Sequence, residues 1–314
     1  MSKSVTVTVP ATTANLGPGF DCIGAALTLY NILKISEQDL SAEETSTQAM
    51  ITVQGVDAER LSTDQDNLAY QAFIKLYQHL GQSPPPVKLE INLGFPLARG
   101  LGSSATAIVG GLVGANAFAG SPLSQTEVMN LAIAMEGHPD NVVPALLGNC
   151  QLSVAASESH WEICEIPWHP SIIPIVAIPN FELSTTEARR VLPTEYSRTD
   201  AIFNTAHLGL LVRGLETGKG NWLRVAMQDK IHQPYRQSLI IGYEAVREAA
   251  INAGAYELVI SGAGPTLLAL SDATSAPDVA LAMAEAWHQF GVKVEVRSLQ
   301  IDTQGAEFTV NSEQ

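Results

Sequence analysis

Val5, Val7 and Val9 alternate with threonines at the start of the chain, the period-two pattern of a strand with one buried face. The alternation breaks at a Pro/Gly loop in ATTANLGPGFDCIG that ends at Asp21, and a further strand is expected over ITVQGV. Leu68, Ala72, Phe73, Leu76, Tyr77 and Leu80 then fall on one helical stripe, with Gly81 placed to end it. After a PPP turn, VKLEINLGFP reads as a strand feeding a stretch crowded with glycine and serine. From Ser104 the run SATAIVGGLVGANAFAG has the small residues of a helix that packs closely on its neighbours. Ser124 and Glu127 form a capping box for a helix ending near AMEG, and HPDNVVPALLGN follows, polar at its front.

Beyond this point the pattern predicts strands in QLSVAAS, HWEICEI and IIPIVAIP, then helices over TTEARRVL, DAIFNTAHLGLLVRGLE and QSLIIGYEAVREAAINAG. YELVISGAG and PTLLALSD read as two strands joined by a glycine turn, with a helix over VALAMAEAWHQF and a last strand VKVEVRSL. Strand, helix, strand, strand, helix, strand is compatible with a ferredoxin-like α+β sandwich. No repeat or low-complexity linker divides the chain; a boundary between residues 150 and 170, written as domains 1–160 and 161–314, fits this order.

Composition narrows the partners. The 314 residues are 46% hydrophobic and 16% charged, which suits a globular protein with a sizeable core. A formal net charge of -15 repels phosphate backbones and anionic lipid, so no nucleic acid and no membrane is expected as partner. Three cysteines with no CxxC spacing, no apolar leader and no long apolar run point to a reduced, cytoplasmic protein. Self-association into a homodimer is left open. A phosphate ligand would have to be held by local dipoles, a few arginines and a metal ion.

The segment PLARGLGSSATA, residues 96–107, invites that ligand. A Walker A loop needs a GK[ST] ending, and no lysine is present. Gly100, Gly102 and Ala105 fit the weak dinucleotide fingerprint, but no acidic residue follows about 20 positions later and the next element reads as a helix. A nucleophile elbow would need glycine where Thr106 stands. What remains is a glycine loop entering a helix with two hydroxyls at its mouth, a site for an anion and, through serine oxygen, for Mg²⁺. Glu136, at the end of the following helix, is the carboxylate to complete it. The bland readings are a tight strand-to-helix turn and a solvated helix-end carboxylate, although a carboxylate is disfavoured at a helix C-terminus.

PLARGLGSSATA resembles the P-x-x-x-G-L-G-S-S-A signature of the GHMP superfamily of galacto-, homoserine, mevalonate and phosphomevalonate kinases. ATTANLGPGFDCIG and EGHPDNVVPALLG are similar to the blocks that its homoserine-phosphorylating members carry, and SGAGPTLLAL at 261–270 to its third motif. These blocks run in the expected order from residue 5 to 270. The resemblance implies an α+β fold of two domains, ribosomal-protein-S5-like at the N-terminus and ferredoxin-like at the C-terminus. It also implies transfer of phosphate from ATP to the hydroxyl of L-homoserine, a step towards threonine; a mevalonate- or sugar-type acceptor and a non-catalytic ligand sensor are the alternatives.

By the same resemblance Pro96, Leu97, Ala98, Arg99, Gly100, Leu101, Gly102, Ser103, Ser104, Ala105 and Thr106 wrap the ATP triphosphate, and Ser104 and Glu136 hold Mg²⁺. Arg99 is read as touching phosphate or lying in solvent, and Asn67 as bordering the nucleotide or capping its helix. A zwitterionic acceptor needs cations for its carboxylate and an anion for its ammonium. Arg189, with Thr185, and Arg236 are matched to the first need, Asp21 and Asn15 to the second; the ordinary alternative for either arginine is a surface ion pair. Gly262, from the third motif, and His138 and Asn141, from GHPDN, are assigned to the acceptor pocket, although a lone histidine is often structural. Asp140 stands where a base would be, in a reaction that can proceed without one.

Overall fold

The computed structural model describes residues 3–38, 49–157 and 160–312. Two long antiparallel strands, β1 (Lys3–Asn15) and β2 (Gly19–Glu37), open the chain. β1 passes through Pro10, with its register shifted there, and runs to Asn15, so the Pro/Gly loop expected to end at Asp21 narrows to residues 16–18 and Asp21 lies in β2. The strand β2 was not expected at all. Next come β3 (Met50–Gly55), α1 (Leu68–His79), β4 (Val87–Leu93), α2 (Ser103–Phe118), α3 (Gln125–Glu136), α4 (Pro139–Leu147), β5 (Cys150–Ser157) and β6 (His160–Ile166). The second half contains β7 (Ile173–Pro179), α5 (Thr185–Arg190), α6 (Arg198–Thr217), α7 (Gly220–Ala226), α8 (Gln233–Arg236), α9 (Tyr243–Asn252), β8 (Glu257–Ile260), β9 (Leu267–Ser271), α10 (Ala276–His288), β10 (Val294–Ser298) and β11 (Glu307–Ser312). One expected helix is broken: Gly242 takes φ +73°, so the chain turns at 237–242 and α9 begins only at Tyr243.

Two sheets organise these elements. The first runs β11-β1-β2-β4-β3, and β5 and β6 extend it from β2. Strands from both sides of residue 160 therefore share it, since β11 returns from the C-terminal end to pair with β1. The second runs β10-β7-β9-β8, all antiparallel, which is the strand order of a ferredoxin-like sandwich.

The alternation seen at the N-terminus is what builds the first core. Val5, Val7 and Val9, with Leu33, Ile35, Leu89 and Ile91, meet Phe73 and Leu76 of α1 and Leu112 of α2. The small residues of α2 make that approach close: a Cβ on Gly110 would lie 2.7 Å from Leu33, and one on Gly111 2.2 Å from the Ala69 carbonyl. A second cluster joins the sheets, with Leu16, Ile23 and Leu27 against Val176, Leu211, Met227 and Leu268. A third lies beneath α9 and α10, around Val246, Met283 and Trp287.

Candidate active site

The loop at 96–102 owes its shape to glycine. Gly100 and Gly102 take φ +78° and +69°, and a Cβ would meet the Ser261 carbonyl at 2.3 Å in one case and Thr12 Oγ1 at 2.0 Å in the other. Gly102 caps α2, so the first amides of that helix have no intrahelical acceptor and point at the loop mouth. Three contacts hold the loop from behind: Thr12 N–H donates to the Leu101 carbonyl (3.1 Å), Ser261 Oγ–H to the Gly100 carbonyl (2.6 Å) and Thr266 N–H to the Arg99 carbonyl (3.1 Å). Ser261 and Thr266 belong to the β8–β9 turn, so the third glycine motif props the second.

At the mouth, Ser104 Oγ–H donates to Glu136 Oε1 at 2.7 Å. The capping box at Ser124 and Glu127 starts α3 as expected, and Gly137 ends it at φ +87°, which delivers Glu136 to this spot. Burial pushes the Glu136 carboxyl above its ordinary range, against the Ser104 hydrogen bond and the His138 charge, which favour ionisation. A hydroxyl and a carboxylate converging beside free helix amides are a hard-oxygen donor pair, and their chemistry fits Mg²⁺.

Across the mouth lies a second constellation. Arg189 donates bidentately to Asp21, NH1 to Oδ2 at 2.9 Å and NH2 to Oδ1 at 2.8 Å. Asn15 accepts the Asp21 N–H (3.0 Å) and donates to the Gly262 carbonyl (2.9 Å). Arg236, 2% exposed, donates from Nε to the Ala188 carbonyl (3.0 Å) and from NH1 to that of Gly262 (3.1 Å). Burial and the Arg189 charge bring Arg236 down to about 10. Both guanidinium groups lie over the Phe20 ring, at 5.6 and 5.0 Å.

Asp140 sits in the first turn of α4, 3% exposed, and its Oδ1 accepts from His138 Nδ1 (2.5 Å) and Asn141 Nδ2 (3.2 Å). Burial alone would lower the His138 ring, but the Asp140 hydrogen bond and the Asp140 and Glu136 charges raise it. Thr12 Oγ1–H donates to Asn141 Oδ1 at 2.7 Å, which ties this turn to the loop. The backbones touch closely as well: a Cβ on Gly24 of β2 would fall 1.6 Å from the Asp140 carbonyl oxygen.

One cleft of about 390 Å³ collects most of the expected residues. Leu97, Ala98, Gly100, Gly102, Ser103 and Ser104 line it with Glu136, His138, Asp140 and Asn141, and so do Asn15, Asp21, Thr185, Arg189, Arg236 and Gly262. Pro96, Leu101, Ala105 and Thr106 support the loop without lining the cleft; Leu101 and Ala105 are core, and Thr106 Oγ1 bonds Asn31 and the Ser103 carbonyl. Asn67 is the cap of α1, accepting from Ala69 and Tyr70 N–H. The Arg99 side chain neither lines the cleft nor lies in solvent: 6% exposed, it turns to the Pro179, Asn180 and Leu97 carbonyls and to Glu182. Sequence reasoning missed the apolar wall of Leu61, Leu68, Ala107 and Leu183, whose residues look like ordinary core, and the buried props Thr12 and Ser261.

A glycine loop at a helix start and a cluster of charged side chains share one cleft of a two-domain α+β fold. Residues 67–149 match the GHMP kinases N terminal domain and residues 211–289 the GHMP kinases C terminal domain, so this is a GHMP kinase. Homoserine kinase of Trichodesmium erythraeum is 67% identical over 307 residues, 98% of this chain and 99% of that protein. Homoserine kinase of Microchaete diplosiphon is 67% identical over 304 residues, 97% of each. The crystal structure of homoserine kinase from Cytophaga hutchinsonii superimposes with a TM-score of 0.87 at 28% identity, covering 98% of this chain and 97% of that one. Within the GHMP kinases, the chain belongs to the homoserine kinases.

Proposed function

We infer that this chain transfers the γ-phosphoryl group of ATP to the side-chain hydroxyl of L-homoserine, giving O-phospho-L-homoserine and ADP. The observation that carries this reading is that the glycine loop shares its cleft with two arginines and a carboxylate, the set a zwitterion requires. ATP lays its phosphates on the amides at the start of α2, where the dipole and the N–H groups favour negative charge. Ser104 and Glu136 would hold Mg²⁺, which when bound neutralises charge shared by the β- and γ-phosphates.

For the acceptor, Arg236 and Arg189 take the α-carboxylate, while Asp21, oriented by Asn15, takes the ammonium group. In the protein without acceptor Arg189 and Asp21 satisfy each other, so a zwitterion replaces one ion pair by two. The hydroxyl then points at the γ-phosphorus. Phosphoryl transfer through a loose transition state leaves the hydroxyl proton in place until the new P–O bond forms, when it passes to an oxygen of the transferred phosphoryl group as the bond to ADP breaks, so positioning and charge supply most of the rate. Asp140 holds His138 and Asn141 at the cleft wall for that purpose.

A coupled assay for ADP release tests the assignment. Homoserine is expected to support turnover, and mevalonate and sugars are not. No release with homoserine, or faster turnover with another alcohol, would reject it.

A further inference from the structure

His232 lies outside the cleft, immediately before α8, and is fully buried. Its ring is held on three sides. Nε2 stands 2.9 Å from the Gly17 carbonyl oxygen, which can only accept, so that nitrogen carries a hydrogen. The ring stacks on Phe20, with centroids 5.0 Å apart and planes 22° apart. Nδ1 faces Arg236 NH1 at 3.5 Å, and because a guanidinium only donates, this contact is favourable only while Nδ1 keeps its lone pair. Burial, with the positive charge of Arg236, holds the ring below its ordinary range against the pull of Asp229.

The supports of this ring are themselves fixed. Asp229 accepts from the backbone N–H groups of Ile231, His232 and Gln233 at 2.7–3.0 Å and from Asn204 Nδ2 at 2.7 Å, which sets the start of α8. Gly17 is pressed so close to the 227 backbone that a Cβ would lie 2.4 Å from the Met227 carbonyl oxygen. One turn after His232, Arg236 lines the cleft.

We propose that His232 is a positioning residue for acceptor recognition: as the Nε2–H tautomer it fixes the Arg236 guanidinium, directly through Nδ1 and indirectly through the Phe20 ring that both contact. It thereby sets the affinity for the substrate carboxylate without touching substrate. The proposal rests on the assignment of Arg236 to that carboxylate.

Steady-state kinetics of two variants test it. His232→Gln retains a donor near the Nε2 position but places no acceptor at Nδ1, whereas His232→Asn retains an oxygen near Nδ1. His232→Gln is expected to raise the homoserine KM roughly five- to tenfold, the size of one net hydrogen bond, with kcat and the ATP KM within about twofold. His232→Asn should recover at least half of that loss, and in an Arg236→Lys background His232→Gln should add nothing. Equal changes in both KM values, no rescue by asparagine, or effects that simply add in the double variant would overturn the proposal. If neither variant folds, ¹⁵N shifts of the wild-type ring decide: a neutral ring protonated at Nε2 at pH 7 supports it, and an imidazolium or the Nδ1–H tautomer refutes it. Failure of the underlying assignment looks different, since the wild type would then turn over no homoserine or Arg236→Lys would leave its KM unchanged.

Discussion

The Glu136 carboxylate ends a helix and is largely buried, so desolvation and the helix dipole both oppose its charge. A carboxyl raised in the folded state makes its ionised form a burden on stability above that raised value, and the burden lifts as the pH falls through it. Glu136→Gln is accordingly expected to melt higher than the wild type at pH 7, with the gap closing on acidification, while its turnover falls by at least about a hundredfold for want of a charged oxygen beside the phosphates. A variant with lower Tm or normal turnover would contradict this. Asp140→Asn separates positioning from proton transfer: a roughly tenfold fall in kcat is expected, whereas a loss of about a thousandfold would mark Asp140 as a base. Residues in the cleft were legible where motif and charge coincided, as at Asp21, Glu136, Arg189 and Arg236. Arg99 was not, because its acceptors at 179 and 180 lie some eighty positions along the chain and only folding brings them near.

At the scale of elements, the site depends on how closely backbones approach. Strand β2 presses on the first turn of α4, and Gly24 leaves no space for a side chain against the Asp140 carbonyl. Gly24→Ala must displace that turn, so a loss of about 2–4 kcal/mol in stability is expected with reduced kcat, read by denaturant unfolding and the ADP assay. Unchanged stability would mean the turn can move freely. The helices α1, α2 and α3 were readable from the apolar stripe, the small-residue run and the capping box. The strand β2 was not: residues 23–27 are buried without a break, with Ile23 and Leu27 against Val176 and Leu268 of the second sheet, and Asn31 breaks the inward series Leu29, Leu33, Ile35 by bonding Thr106 and Gly94. The helix expected over 237–254 ran through Gly242, whose left-handed conformation ends the turn before α9.

Across the whole molecule, the glycine loop belongs to the first sheet and its helices, and the arginines come from elements that follow the second sheet's first strand. The Asp21–Arg189 pair and the Asn15–Gly262 bond join the two sets. The C-terminal strand β11 returns to the first sheet, adding six register pairs beside Val5 and Val7. Phe308 and Val310 alternate with polar residues in β11, but the run is short and half-exposed, and its pairing partner lies at the opposite end of the chain, so the return was not expected. Removal of residues 307–314 is expected to lower Tm clearly while leaving both KM values within about twofold, because β11 is remote from the cleft; a selective rise in either KM would show that the strand shapes the site. The central claim, one cleft for both substrates, is tested most directly by a crystal structure with homoserine and a non-hydrolysable ATP analogue. The account predicts triphosphate oxygens on the first amides of α2, the amino-acid carboxylate between Arg189 and Arg236, and the hydroxyl facing the γ-phosphorus. Homoserine bound elsewhere, or a nucleotide whose phosphates avoid the loop, would contradict it.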